Sequence, residues 1–141
     1  MKHYTSISQS KKLLELGLSP ETADMHYLFE NFITQPIIKI EVGYNKDEEE
    51  ACLEDNFAPE YIPCWSLGAL LELMPHIIED DNYTNEITPL LYPMQGKWFC
   101  VYNELDKDGY SPYAEEKGIT PIEAAYSMVV WLLENGFIKK S

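Results

Sequence analysis

The chain has 141 residues, 45% of them hydrophobic and 13% aromatic, which is enough for one domain with a real core and far from the composition of a disordered chain. Its net charge is −14 and all ten basic residues are lysines. Without arginine, the preferred fork for phosphates and guanine edges, and without a basic patch, direct nucleic-acid binding is excluded as an expectation, and so is bidentate clamping of phosphates. No apolar run approaches the ~18 residues needed to span a bilayer, and the first residues, Met1 to Ser6, lack the apolar stretch of a secretory signal. A cytoplasmic location is the expectation, and the odd, widely spaced Cys52, Cys64 and Cys100 fit reduced thiols.

Residues 5–17 read as a first helix. Ser6 with Gln9 forms a capping box, or Ser8 caps, and Gly17 ends the helix. Ser19-Pro20-Glu21 repeats the cap-plus-proline signal and predicts a second, shorter helical segment. Ile37 to Val42 alternates as a strand should, with Ile38, Ile40 and Val42 on one face and Lys39 and Glu41 on the other. Residues 43–62 form a charged, faintly periodic insert. From Glu41 to Glu86 there are thirteen acidic residues against Lys46 alone.

Ser66 caps a helix that runs to Met74, with Leu67, Leu70, Leu71 and Met74 as its buried face. Ile87 to Tyr92 and Lys97 to Glu104 read as two strands flanking a turn at Pro93 to Gly96, and Pro89 places the first of them at an edge or near a bulge. A turn at Asp106 to Gly109 leads to a short third strand around Tyr110 to Tyr113. The closing helix states both its ends: Thr120 as N-cap, Pro121 at the first position, Glu123 completing a capping box, and Gly136 as the left-handed stop. Ile122, Ala125, Tyr126, Val129, Leu132 and Leu133 share one face, while the other holds Ala124, Met128, Val130 and Trp131. Two readings stand: a core helix covered by a sheet and another helix, or a helix that turns Trp131 and Val130 toward a second subunit in a two-fold dimer.

The expected fold is α+β: residues 1–141 as a single domain, a layered sandwich in which a small antiparallel sheet of two to four strands packs against helices.

Three blocks, Thr5 to Met25, Pro63 to Pro75 and Thr120 to Gly136, resemble a family of small uncharacterised proteins from prophages and mobile elements of gut Bacteroidales. The helix, hairpin, helix order of the second half is similar to phage domains described as ABA sandwiches. The three blocks hold 51 of the 141 residues, roughly a third of the chain, and the resemblance implies no catalytic or binding residue.

Candidate chemistry is sparse. His3, His26, His76 and the three cysteines show no zinc-site spacing. Glu104 to Glu115 imitates a calcium loop through Asp106, Asp108, Gly109 and Glu115, but Pro112 and a preceding strand favour a hairpin turn. Cys64 with His76 is a conceivable nucleophile pair, although a buried thiol is the plainer reading. Glu79, Asp80 and Asp81 read as a solvated loop rather than a hydrolase cluster. No catalytic residue, cofactor or metal ligand is therefore expected. Tyr61, Trp65, Trp98, Tyr102, Tyr110 and Tyr113 fall near loops and strand faces and are the best raw material for recognition, and Tyr61, Trp65 and Trp131 are the expected protein-contact surface. The expected function is that of a non-enzymatic accessory protein of a phage or mobile element, acting through contacts with another protein, which the acidity suggests is basic. The alternative is a DNA mimic whose acidic face occupies the basic groove of a host nuclease or DNA-binding protein.

Overall fold

The computed structural model describes residues 3–31, 36–43, 47, 60–106 and 109–141. Most of the acidic insert, Cys52 included, lies outside these residues.

Ser6 caps helix α1, Ile7–Glu15, and Gln9 answers with its side chain to the Ser6 amide, so the capping box forms as the sequence announces. The Ser19-Pro20 signal yields the shorter helical segment expected, a single 3-10 turn, Pro20–Thr22, that starts at the proline. The chain then enters a strand that the sequence reading lacks, β1 (Met25–Asn31), which pairs antiparallel with β2 (Pro36–Val42). β3 (Glu60–Cys64) pairs on the other side of β1, giving the order β2-β1-β3. Residues 60–62 thus belong to a strand, not to the insert. Residues 3–5 run antiparallel beside 65–67: the Thr5 amide donates to the Trp65 carbonyl at 2.8 Å, and the Leu67 amide to the His3 carbonyl at 2.9 Å.

Ser66 caps helix α2, Leu67–Leu73, by accepting from the Ala69 amide, and Asp24 accepts in turn from the Ser66 amide and hydroxyl. Ala69, Leu70 and Met74 are the buried residues here, and Leu71, expected inside, is 37% exposed. A second antiparallel sheet follows: β4 (Ile87–Met94), β5 (Lys97–Asp106) and β6 (Gly109–Gly118), in the order β4-β5-β6. Gln95 and Gly96, both at positive φ, make the two-residue turn of the first hairpin, the geometry that matches strand twist. The third strand is ten residues long, far beyond the short segment expected.

The domain is α+β, with two three-stranded sheets where the sequence suggests one. The central helix α3, Pro121–Glu134, lies on the β4-β5-β6 sheet and packs against α2 on another side. Its burial is rotated from the expected face: Ala124 and Met128 are fully buried, while Tyr126 is partly exposed. Thr120 accepts from the Glu123 amide, but the Glu123 carboxylate reaches past the cap to the Ile119 amide at 2.9 Å, so the box closes one residue early. The main core joins Leu13, Leu18, Trp65, Leu70, Cys100 and Tyr102 to this helix. A smaller cluster of Tyr27, Ile62 and Cys64 packs one face of the first sheet on Tyr4 and Ile7.

Two irregularities of the second sheet bear on its surfaces. Tyr102 pairs with Ala114 but Asn103 pairs with Pro112, so Tyr113 is the extra residue of a β-bulge. On β4, the Ile87 carbonyl points away from β5 and accepts from the Ile78 amide at 2.9 Å. Backbone direction alternates along a strand, so Pro89, Leu91 and Pro93 face the same outward side.

Candidate protein-contact surface

The sequence nominates Tyr61, Trp65 and Trp131, and the structure separates them. Trp65 has no exposed surface: its indole N–H donates to the Thr22 hydroxyl at 2.9 Å, and its amide donates to Thr5 Oγ1 at 3.0 Å. It sits at the junction of β3 and α2, where the N-terminal segment closes over it. Tyr61 is buried as well, stacked on His26 with ring centroids 4.3 Å apart. His26 is itself buried, and its Nδ1 donates to the Gly43 carbonyl at 2.6 Å. Both nominations are corrected: these aromatics build the core and offer no surface.

Trp131 is different. It stands on the flank of α3 with Tyr126, Ser127, Val130 and Glu134, residues four apart that form one stripe along the helix. β6 passes beside this stripe and contributes Glu116, which occupies the same sheet face as Cys100, its neighbour across the pair. Together they line an open groove of about 240 Å³. The Phe137 ring stacks on Trp131 at 5.5 Å with 16° between planes, and Tyr113 meets both edge-on. Tyr83 extends the group by an edge contact to Tyr113 at 5.1 Å. Four aromatic rings from the 79–86 loop, the β6 bulge, α3 and the turn after it thus form one cluster, with Trp131 shared between cluster and groove. Trp131 and Tyr113 are among the aromatics the sequence offers for recognition; Tyr83 and Phe137 are not, and the bulge that turns Tyr113 into the group is the missed element.

The electrostatics of this region are acidic. Desolvation raises the Glu116 pKa above the ordinary carboxylate value, and Glu134 in the lining of the same groove raises it further. Burial raises Tyr126, with Glu134 and Glu15 adding to the effect. Asp80 lies below its ordinary value because the Asn82 amide and the Tyr113 hydroxyl both donate to it.

Other nominated groups have structural roles. Glu104 to Glu115 is a hairpin, with 104–106 and 109–115 in strands, and not a calcium loop. Cys64 is fully buried and donates to the Thr5 carbonyl at 3.4 Å, while His76 lines a separate apolar groove of about 230 Å³ floored by Met74 and Cys100. Burial pushes the Cys100 thiol up to about 12, helped by Glu116, which leaves it protonated and a poor nucleophile. Asp80, one of the clustered carboxylates, orders its own loop. Among the described residues, no three His, Cys, Asp or Glu side chains are placed to hold a metal. No helix of the described residues is long and apolar enough to cross a membrane.

No family model, curated protein or solved structure matches this chain.

Proposed function

We propose that this chain is a non-enzymatic accessory protein that acts by binding another protein through the Trp131 groove. The observation that supports this most is the placement of Trp131: a partly exposed Trp, held by Phe137 and Tyr113, in the lining of an open groove to which Glu116 and Glu134 also contribute. Rigid aromatic anchors of this kind lose little conformational freedom on association and dominate the energetics of protein interfaces. The resemblance to proteins of prophages and mobile elements makes the cytoplasm of the host the setting, and a host or element-encoded protein the partner.

The test is capture from a host lysate with tagged wild-type protein and with Trp131→Ala, both first shown to be folded by circular dichroism. A protein enriched by the wild type and lost from the variant supports the reading. Identical captured sets from both count against it.

A second reading, the DNA mimic, draws on the exposed carboxylates of Glu79, Asp81 and Glu86 around an open concavity of about 400 Å³. It is separated from the first by competition: duplex DNA displaces a partner held by a mimic, and leaves a partner held at the Trp131 groove in place.

A further inference from the structure

We infer that the groove between α3 and β6 receives one lysine or arginine side chain of the partner protein, its methylene stem lying along Tyr126, Val130 and Trp131 and its charge between Glu116 and Glu134. The inference rests on the protein-contact reading and adds the chemistry of the anchor. Three observations converge on it.

The groove is too small for a drug-sized ligand, for which about 300–1,000 Å³ is usual, and suits a single long side chain. Its lining is divided in the way an amphipathic cation needs. Val130 and the rings of Tyr126 and Trp131 supply apolar surface on which such a stem can lie, and Glu116 and Glu134 add two carboxylates to the same lining. A cation beside an indole face gains from the ring quadrupole in addition to the ion pair.

The charges select among occupants. Glu116 and Glu134 both line the groove and act on one another as like charges, and Glu15 lies near enough to act on Tyr126. An anion or a carboxylate-bearing segment is repelled. A second copy of this chain, docked on the same face about a two-fold axis, brings Glu116 and Glu134 of both copies together and adds the repulsion of two chains at −14. A basic side chain instead relieves the repulsion already present, and the net charge of the whole protein draws a basic partner in from a distance.

The experiment uses the intact chain and two blocked pentapeptides, Gly-Leu-Arg-Leu-Gly and the same sequence with Gln in place of Arg. Each is titrated to about 5 mM at low salt while the indole N–H resonances are followed by NMR, with the Trp131 signal assigned from Trp131→Phe; the expected Kd is on the order of 1 mM. The arginine peptide moves the Trp131 resonance and the Gln peptide does not. The double variant E116Q/E134Q, which leaves the apolar lining intact, weakens arginine-peptide binding at least about fivefold, and so does raising the salt. No shift of Trp131, equal shifts with the Gln peptide, or unchanged affinity in E116Q/E134Q overturns the inference. Sedimentation of the free protein supplies a further arm: a dimer that dissociates on Trp131→Ala assigns the face to a second copy and likewise overturns it. If a captured partner is lost with Trp131→Ala but retained by E116Q/E134Q, the protein-contact reading stands and the cation anchor alone fails.

Discussion

The Tyr113 hydroxyl donates to Asp80 Oδ2 at 3.0 Å, and this bond joins the bulge of β6 to the acidic loop that precedes β4. Asp80 also accepts from the amide and the side chain of Asn82, at 3.0 and 3.1 Å. One carboxylate thus shapes its own turn and anchors the hub of the aromatic cluster, so the loop, the strand and the α3 flank are fixed by a shared contact.

Replacing Tyr113 with Phe keeps the ring contacts and removes the bond, so Tyr113→Phe lowers the melting temperature at neutral pH. The loss has a pH window. Asp80 titrates below its ordinary 3.8 in the folded chain, so its contribution is complete above that value and disappears as the pH falls through the lowered folded value. Tyr113 titrates above its ordinary 10.0, so its contribution is complete below 10.0 and is lost as the pH rises through the raised folded value. Thermal melts across pH 2–11, a span of about two units beyond the carboxylate reference and one beyond the phenol reference, check this: the gap between wild type and variant is widest in the middle and closes at the acid end. A gap independent of pH shows that the bond does not couple to the titration.

Glu104 is 8% exposed, and its Oε2 has no hydrogen-bond partner among the described residues. Its other oxygen meets the Asn85 side chain only at 3.4 Å. A buried acceptor left unmade costs about 1–3 kcal/mol, so Glu104→Leu stabilises the chain by an amount of that order. Urea unfolding of both proteins measures it; a destabilised Glu104→Leu means that the carboxylate has a stabilising role that the hydrogen bonds do not show.

Gly118 ends β6 directly beneath the first turn of α3. A Cβ placed there lies 2.8 Å from the Ala124 amide nitrogen and 3.0 Å from the Glu123 carbonyl carbon, both backbone atoms with little freedom to yield. Gly118→Ala therefore forces the helix off the sheet and costs about 1–3 kcal/mol, the usual range for overpacking. Gly96→Ala, with open space around it but φ at +77°, serves as a comparison in which strain, not collision, sets the cost.

Thr5 is fully buried, and its hydroxyl serves the Trp65 amide at 3.0 Å and Ser10 Oγ at 2.8 Å. Thr5→Val fills the same volume but strands the Trp65 donor, for about 1–3 kcal/mol. Hydrogen exchange locates the effect: protection falls at the Trp65 amide and along α1 before it falls on β5.

Punctuation was the legible part of this sequence. Ser6, Ser66, Thr120 with Pro121, and Gly136 all stand where the helices begin or end, because a cap depends on neighbours three or four residues away. β1 was illegible for a tertiary reason. His26, Tyr27 and Leu28 are all buried, so both faces of the strand are covered and the period-two alternation that marks a half-exposed strand is missing. Tyr61 and Trp65 look like recognition aromatics by composition; the closure of residues 3–5 over the β3–α2 junction makes Trp65 core, and Tyr61 is buried on the other face of the first sheet in its stack on His26. The Tyr113 bulge depends on the register against β5, which no local pattern encodes. Of the candidate surface, Trp131 could be named from its helical position and Tyr113 as one of several aromatics near loops and strand faces; Glu116 and Phe137 could not, since each reaches Trp131 from a different element.

The two outward-facing prolines of β4 have a consequence for the behaviour of the protein at high concentration. Between residues 88 and 93 that rim can present only the Leu91 amide hydrogen to an approaching strand. A chain that tries to extend the sheet from this side finds carbonyls but almost no donors, and a fibril cannot propagate through a ladder with every other rung missing. Recognition on this side of the molecule is therefore left to side chains, and the same two rings that interrupt the backbone ladder keep an acidic, aromatic-rich domain from polymerising through its own edge.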